Sequence, residues 1–362
     1  MKKLIVFSGI NITSGGPLTI LRNILAYADR ELFVDYDLCA LVKSREVIGI
    51  ETRNIRIVEF PKAQRTFLHK LYYEYFYFQQ LSKRLRPYLW FSLNDCSPSV
   101  QADRRVVYIH NATSVYTLTK MDFKFPSRIL AQRFYYRFFL KTNLNENDFV
   151  VVQQYWLRDF VIRSLGFKRP DNVLLHRPMF ELPGHVQGSH SGSEYFIYPT
   201  KPEVYKNLHT LIDAFNIVSH EAPEYSLMLT IRGDENRYAR AMKLRAGTNT
   251  RIKFCGPLPF DQLMEKVASA YALVFLSKLE TWGLPLSEAM LLGRPVIASD
   301  MPYARETLSG YDNARFFDPD SVDSLVAVFR ESIKQGRKSG SSSAFREISD
   351  PLDSLFSAIL TK

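Results

Sequence analysis

The sequence is poor in cysteine, in long apolar runs and in acidic residues relative to basic ones. Three cysteines in 362 residues, Cys39, Cys96 and Cys255, are too few and too scattered for a disulfide framework or a zinc site, so a reducing compartment is expected. No apolar run approaches the roughly 18–20 residues that a spanning helix needs, which argues against an integral membrane protein. The opening Met1–Phe7 has the basic start of a signal peptide, but its apolar stretch stops at Ser8-Gly9 and reads better as a buried strand. No internal repeat of fixed period is found.

What is present is an excess of positive charge and of aromatic rings. Lys and Arg number 47 against 37 Asp and Glu, a formal net charge of +10, and aromatics make up 14% of the chain. The charge is uneven: residues 1–180 hold 27 basic and 15 acidic side chains, residues 181–362 hold 20 and 22. A basic half suits an anionic partner, whether nucleic acid, phosphorylated ligand or anionic membrane. With 46% hydrophobic residues and a length beyond the 250–300 or so that one core serves, two folded domains are expected.

Short apolar runs bounded by Gly, Pro or Asn alternate with amphipathic stretches, the pattern of an α/β protein with parallel sheets. The runs predict strands over residues 4–8, 36–41, 55–60, 89–92, 105–110 and 148–153, and then over 195–198, 227–232, 252–255, 272–276 and 295–299. Two sheets follow. The small-polar segment 181–194 marks the boundary between them, giving one domain over residues 1–180 and another over 194–340. A second polar stretch, 335–343, precedes a last amphipathic helix over about 344–360.

After the first strand, Gly15-Gly16 lead into a helix predicted from about Thr19 to Ala28. A Gly pair there lets backbone N–H groups approach an anion at the helix N-terminus, although a tight turn without a ligand fits equally well. Its spacing is not that of G-x-G-x-x-G, so a dinucleotide fingerprint is not supported. His110, followed by Asn111-Ala112-Thr113, ends a predicted strand, where open α/β sheets bind ligands. Asn94 and Asp95 are similarly placed. The most informative run is Phe275-Leu-Ser-Lys-Leu-Glu280-Thr-Trp282-Gly283-Leu284-Pro-Leu-Ser-Glu288. It sets two carboxylates eight residues apart across a strand-to-helix turn, Glu280 in the loop and Glu288 one turn into the helix. Such a pair can grip a polyol at two points, and a surface Glu with a first-turn Glu reads equally well from the pattern alone.

This run resembles the E-x7-E signature of family 4 retaining glycosyltransferases, which have the GT-B fold of two facing Rossmann-like domains with a cleft between them. Gly293-Arg294-Pro295-Val296-Ile297-Ala298-Ser299-Asp300 is similar to the family's next strand and loop, and Tyr198–Asn207 resembles the segment that clamps the donor diphosphate. The resemblance implies an enzyme, a metal-independent hexosyltransferase using a nucleotide-sugar donor as co-substrate, with no other cofactor and no metal. Lys206 would hold the diphosphate, helped by Lys201 and by Gly15 and Gly16. Glu288 would take the ribose hydroxyls. Glu280, with Trp282, Gly283 and Leu284, would take the transferred sugar, and His110 would face that sugar from the first domain. The stretch around Gln153 resembles one near the family's cleft. Family precedent places the last helix, 344–362, back on the first domain. Lys201 stands where Arg is usual, Leu276 where Pro is, and Thr281-Trp282 replaces a Gly-Phe type pair. The stretch Ser299–Glu306 is similar to mannosyl-, rhamnosyl- and fucosyltransferases, making GDP-mannose or a related GDP-sugar the first choice.

Two segments account for the basic charge. Residues 67–78 and 123–141 each carry seven aromatics, with Lys62, Arg65, Lys83, Arg84 and Arg86 beside the first and Lys124, Arg128, Arg133, Arg137 and Lys141 within the second. Helices of this kind can lie on anionic bilayers, and an aromatic core face with solvated cations is the other reading. Neither an RRM signature nor a basic helix-turn-helix occurs, so no nucleic acid partner is expected. Together with the family resemblance, these segments imply a cytoplasmic protein, peripheral at the inner face of the membrane, that glycosylates a lipid-linked glycan in O-antigen, other lipopolysaccharide or capsule synthesis. A sugar-nucleotide 2-epimerase and a non-catalytic membrane adaptor are the alternatives.

Overall fold

The structure, a computed structural model, describes residues 2–30, 33–178, 182–184, 194–336 and 352–361. Short runs of Val, Ile, Leu and Phe form strands that are apolar on both faces, as parallel strands covered by helices must be. In the first unit these are β1 (Lys3–Gly9), β2 (Tyr36–Val42), β3 (Ile55–Glu59), β4 (Leu89–Ser92), β5 (Arg104–Ile109), β6 (Phe149–Val152) and β7 (Val173–Leu175). They form a parallel sheet in the order β3-β2-β1-β4-β5-β6-β7. The second unit has β8 (Tyr195–Tyr198), β9 (Ser226–Leu229), β10 (Ile252–Phe254), β11 (Ala272–Phe275), β12 (Val296–Ser299) and β13 (Ala314–Phe317), in the order β10-β9-β8-β11-β12-β13. All of its pairings are parallel too.

Alternate residues of one strand feed opposite layers. Ile5 and Phe7 of β1 join Leu38, Ala40, Leu89 and Phe91 in one core, while Val6, Cys39, Leu41 and Trp90 join Phe78 in another on the opposite face. The helix Leu352–Thr361 completes the first of these cores with Leu355, Phe356 and Ile359, and the Phe356 ring stacks on Tyr27 at 5.5 Å.

The described residues divide into two compact units. One lies within Met1–Ser114, Gln132–Met179 and Ser349–Lys362, the other within Val115–Ala131 and Phe180–Ile348. Residues 115–131 thus belong with the second unit, apart from the sequence that flanks them. The boundary segment 181–194 and the polar stretch 335–343 fall mostly outside the described residues, as do 344–351 of the last helix.

Two strands escape an apolar-run search, β7 and β13. Both are short edge strands with a single buried residue each, so they lack the continuous apolar signature of the central strands. The first helix starts at Gly15 rather than near Thr19, which puts both glycines in its first turn. In each sheet the order reverses once, between β1 and β4 and between β8 and β11. Connections leave such a point in opposite directions, and the crevice beyond the strand ends is where open α/β sheets bind ligands.

Candidate active site

In the second unit, the loops beyond β8 and β11 carry most of the singled-out residues. A one-turn helix, Val204–Lys206, ends at Asn207, whose left-handed backbone (φ 58°) starts the helix Leu208–Glu221. Lys278 N–H donates to the Tyr205 carbonyl at 2.8 Å, which ties the two loops together. Two buried tyrosines fix their backbones: Tyr198 donates to the Lys206 carbonyl at 2.9 Å and Tyr303 to the Ser277 carbonyl at 2.6 Å. These supports give no motif in the sequence, because their partners are backbone atoms.

On this scaffold Lys206 Nζ donates to Glu280 Oε1, and both side chains are mostly buried. The ammonium also lies 5.3 Å from the Phe275 ring centre and 5.6 Å from that of Tyr205. Lys278 makes a separate ion pair with Asp320 at 2.5 Å. Lys201 is exposed on the loop after β8.

Gly283 has φ 81°, the left-handed region that glycine enters without strain, and it starts the helix Leu284–Leu291. A Cβ here would sit 3.1 Å from Leu286 and 3.3 Å from both Phe275 and Tyr303. The preceding Trp282 is only 3% exposed. Its indole N–H donates to Ser287 Oγ at 2.9 Å, and its carbonyl accepts from Thr307 at 2.7 Å. The ring is thus part of the core that shapes the loop. Glu288, one turn into the helix, is buried, and desolvation pushes its carboxyl up to about 7.

In the first unit, His110 follows β5 and is buried. Its backbone N–H donates to Asp95 Oδ1 at 2.8 Å, and its Nε2 lies 3.6 Å from the same oxygen. Burial lowers its pKa, and Asp95 opposes this only in part, so the imidazole is held neutral. Asp95 itself has φ 65°, a conformation that non-glycine residues adopt at a cost. Asn94 is buried beside it, and Gln153 is buried after β6. Gly15, at φ 71°, opens the first helix with Gly16 behind it.

Sequence reading passed over Glu74, which lies in the aromatic stretch. Its carboxyl group is fully buried, and Oε1 accepts from Asn11 Nδ2 at 2.8 Å and from Asn94 Nδ2 at 3.0 Å, so it stands at the reversal point of the first sheet.

The two basic aromatic segments, 62–91 and 123–141, divide between core and surface. Phe78, Trp90, Phe91 and Tyr136 are buried. Phe67, Leu68, Tyr72 and Phe76 are exposed, as are Phe134 (72%) and Phe138 (68%) on the helix Arg128–Phe139. Phe67 packs 5.2 Å from Tyr135, and Tyr75 5.6 Å from Phe139, so residues 67–78 and 132–141 form one face of the first unit, whereas 123–131 belong with the second. No helix among the described residues is long and apolar enough to cross a membrane.

Two parallel-sheet domains with these strand orders define the GT-B class of fold, and comparison with solved structures agrees. Sucrose-phosphate synthase from Thermosynechococcus elongatus superposes with a TM-score of 0.68 at 15% identity, covering 96% of this chain and 94% of that one. Residues 185–346 match the family "Glycosyl transferases group 1". The chain is 25% identical over 218 residues to the O-antigen chain mannosyltransferase RfbU of Salmonella typhimurium, covering 59% of this chain and 60% of the relative. It is 30% identical over 142 residues to O-antigen chain mannosyltransferase B of Escherichia coli, covering 39% and 37%. Each match therefore spans less than two thirds of the relative.

Proposed function

We propose that this protein is a retaining hexosyltransferase of family 4, of the E-x7-E type, that works without a metal. It moves a sugar, first choice mannose from GDP-mannose, onto a hydroxyl of a lipid-linked oligosaccharide in O-antigen or other surface polysaccharide synthesis. The observation that carries the reading is the Lys206–Glu280 pair at the β8/β11 reversal with buried Glu288 one turn into the next helix. A cation, a loop carboxylate and a buried carboxyl there match the three parts of a nucleotide-diphosphate sugar: phosphates, sugar hydroxyls and ribose hydroxyls. The mannosyltransferase names of the two curated relatives favour mannose.

In this mechanism Lys206, with Lys201 and the N–H groups at Gly15-Gly16 and Gly283-Leu284, stabilises the departing diphosphate. Glu280 and the backbone around Trp282 orient the sugar. The bond from the anomeric carbon to the donor phosphate oxygen breaks as the acceptor oxygen bonds to the same face of that carbon, and the acceptor proton passes to the leaving phosphate. His110, neutral, holds a sugar hydroxyl instead of taking the proton. The exposed basic aromatic face of the first unit rests on the anionic inner surface of the cytoplasmic membrane, where a lipid-linked acceptor is held.

A thermal-shift panel of GDP, UDP and dTDP with their sugars tests the donor, because a ligand that binds only the folded state raises Tm. Stabilisation by GDP-mannose, followed by an α-linked product on a lipid-linked acceptor, is expected. Hydrolysis or epimerisation of the donor with no transfer would replace this reading by the epimerase one.

A further inference from the structure

Glu74 is fully buried among aromatic rings, on a π-helical turn Tyr73–Tyr77 between the helices Phe67–Tyr72 and Phe78–Leu85. π-Turns inside helices are frequent at functional sites, and a buried carboxyl needs a full set of partners. One of its oxygens has two: Oε1 accepts from Asn11 Nδ2 at 2.8 Å and from Asn94 Nδ2 at 3.0 Å. Asn94 also accepts from the Asn11 backbone N–H at 3.1 Å and donates to Ser8 Oγ at 3.2 Å. The carboxyl thereby joins the loop after β1 to the loop after β4.

The other oxygen, Glu74 Oε2, is buried with no hydrogen-bond partner among the described residues, and so is Asn11 Oδ1. Two adjacent side chains, already joined by one hydrogen bond, thus each hold a buried acceptor without a donor. One proton on Oε2 supplies the missing donor, since a carboxylic acid and a primary amide can pair through two antiparallel hydrogen bonds. Lys70, on the same segment, acts against protonation, since its charge favours the carboxylate; its Nζ lies 4.4 Å from the Tyr135 ring centre and 5.4 Å from that of Tyr136, and burial outweighs it. The other titratable groups acting with Glu74 are Tyr75, Cys96 and Tyr135, whose own pKa values are pushed up, leaving them neutral. Burial likewise raises Glu74 itself to about 7.

We infer that Glu74 is a positioning residue, a protonated acid that pairs with Asn11 and Asn94 and locks together the two loops at the reversal point of the first sheet. The lock extends to His110, because Asp95, which receives its backbone N–H, follows Asn94 directly. The consequence for catalysis rests on the proposed glycosyl transfer; the protonation does not.

Two readouts separate these claims. An infrared difference spectrum, wild type minus Glu74→Gln, is expected to show a protonated carboxyl C=O band near pH 6 that fades above about pH 8. A carboxylate band alone at pH 6 would overturn the inference whatever the activity. In transfer assays, Glu74→Gln, a neutral mimic with an NH₂ donor group and a carbonyl acceptor, should keep kcat within about threefold and lose the fall in rate above pH 7. Glu74→Ala should lower kcat about tenfold or more while leaving the donor KM unchanged. Equal losses in the Gln and Ala variants would overturn the positioning role. Absence of transfer by the wild type with every nucleotide sugar would instead remove the functional reading and leave the infrared result to judge the protonation.

Discussion

Lys206 and Glu280, 74 residues apart in sequence, form an ion pair that joins the loops after β8 and β11. Each keeps the other's charge compensated in a largely desolvated place, where an unpaired ion is costly. A diphosphate that takes Lys206 as its counter-ion removes the partner of Glu280. The freed carboxylate can then accept hydrogen bonds from sugar hydroxyls, so one ligand engages both ends of the pair.

Substitutions on the two sides should therefore act differently. Lys206→Ala is expected to abolish the Tm rise given by the nucleoside diphosphate and to lower kcat/KM about 100-fold or more, the range for loss of a charge-stabilising group. Glu280→Gln leaves Lys206 without its anion, so diphosphate binding should be kept or strengthened while transfer falls. Full transfer activity in both variants would refute the site.

Glu288 makes a prediction about pH. Its carboxyl is raised from 4.5 to about 7, with desolvation the cause. The folded state thus holds a proton that the unfolded state has released, so the contribution of Glu288 to stability falls as pH rises from about 4.5 to 7. Glu74 titrates in the same direction and the buried His110, His176 and His209, whose pKa values are lowered, in the opposite one, so the test is the difference: Tm of Glu288→Gln relative to wild type should rise across that window. Ribose hydroxyls donating to the carboxylate favour its charged form. Nucleotide binding near pH 6.5 should then release protons, which calorimetry in two buffers of different ionisation enthalpy detects, and Glu288→Gln should abolish the release.

How far these sites can be read from sequence depends on sequence distance. Glu280, Gly283 and Glu288 lie on one strand–loop–helix unit, where spacing alone fixes which residue stands in the loop and which in the helix. Strands 89–92 and 195–198 are legible to the residue, because each is a short, largely buried apolar run set between nearby breakers, Pro87 and Asn94 for the first and Glu194 and Pro199 for the second. The edge strands β7 and β13 carry no such signal. Glu74 was illegible for a different reason: its partners are 63 and 20 residues away, and its neighbours read as an aromatic, basic surface. Trp282, a position of doubt in sequence, is settled locally by Ser287 five residues on, which receives its indole N–H.

Gly283→Ala should be costly although it adds one methyl group. The backbone there is left-handed, and the new Cβ would meet Phe275, Leu286 and Tyr303 at 3.1–3.3 Å. Strain of this kind costs about 1–3 kcal/mol, a fall in Tm of roughly 2–10 °C for a domain of this size. Because the residue starts the helix that carries Glu288, loss of nucleotide binding should accompany the fall in Tm. A variant with wild-type Tm and wild-type binding would show that the loop relaxes without strain.

The basic aromatic face yields the last prediction. The proposed diphosphate site in the second unit does not explain why the first half holds 27 basic against 15 acidic residues. Phe134 and Phe138 lie one helical turn apart and both point to solvent, with exposed Arg137 between them in sequence. On an anionic bilayer each nearby Lys or Arg contributes about 1 kcal/mol, and buried rings add an apolar share that salt does not screen. Flotation with vesicles containing anionic lipid should therefore succeed at low salt and weaken as salt rises. Phe134→Asp with Phe138→Asp should abolish it while the Tm rise with nucleotide is kept, since neither ring belongs to the second unit. Wild-type protein that stays unbound at low salt would sink the membrane assignment and leave the rings to be explained by another partner.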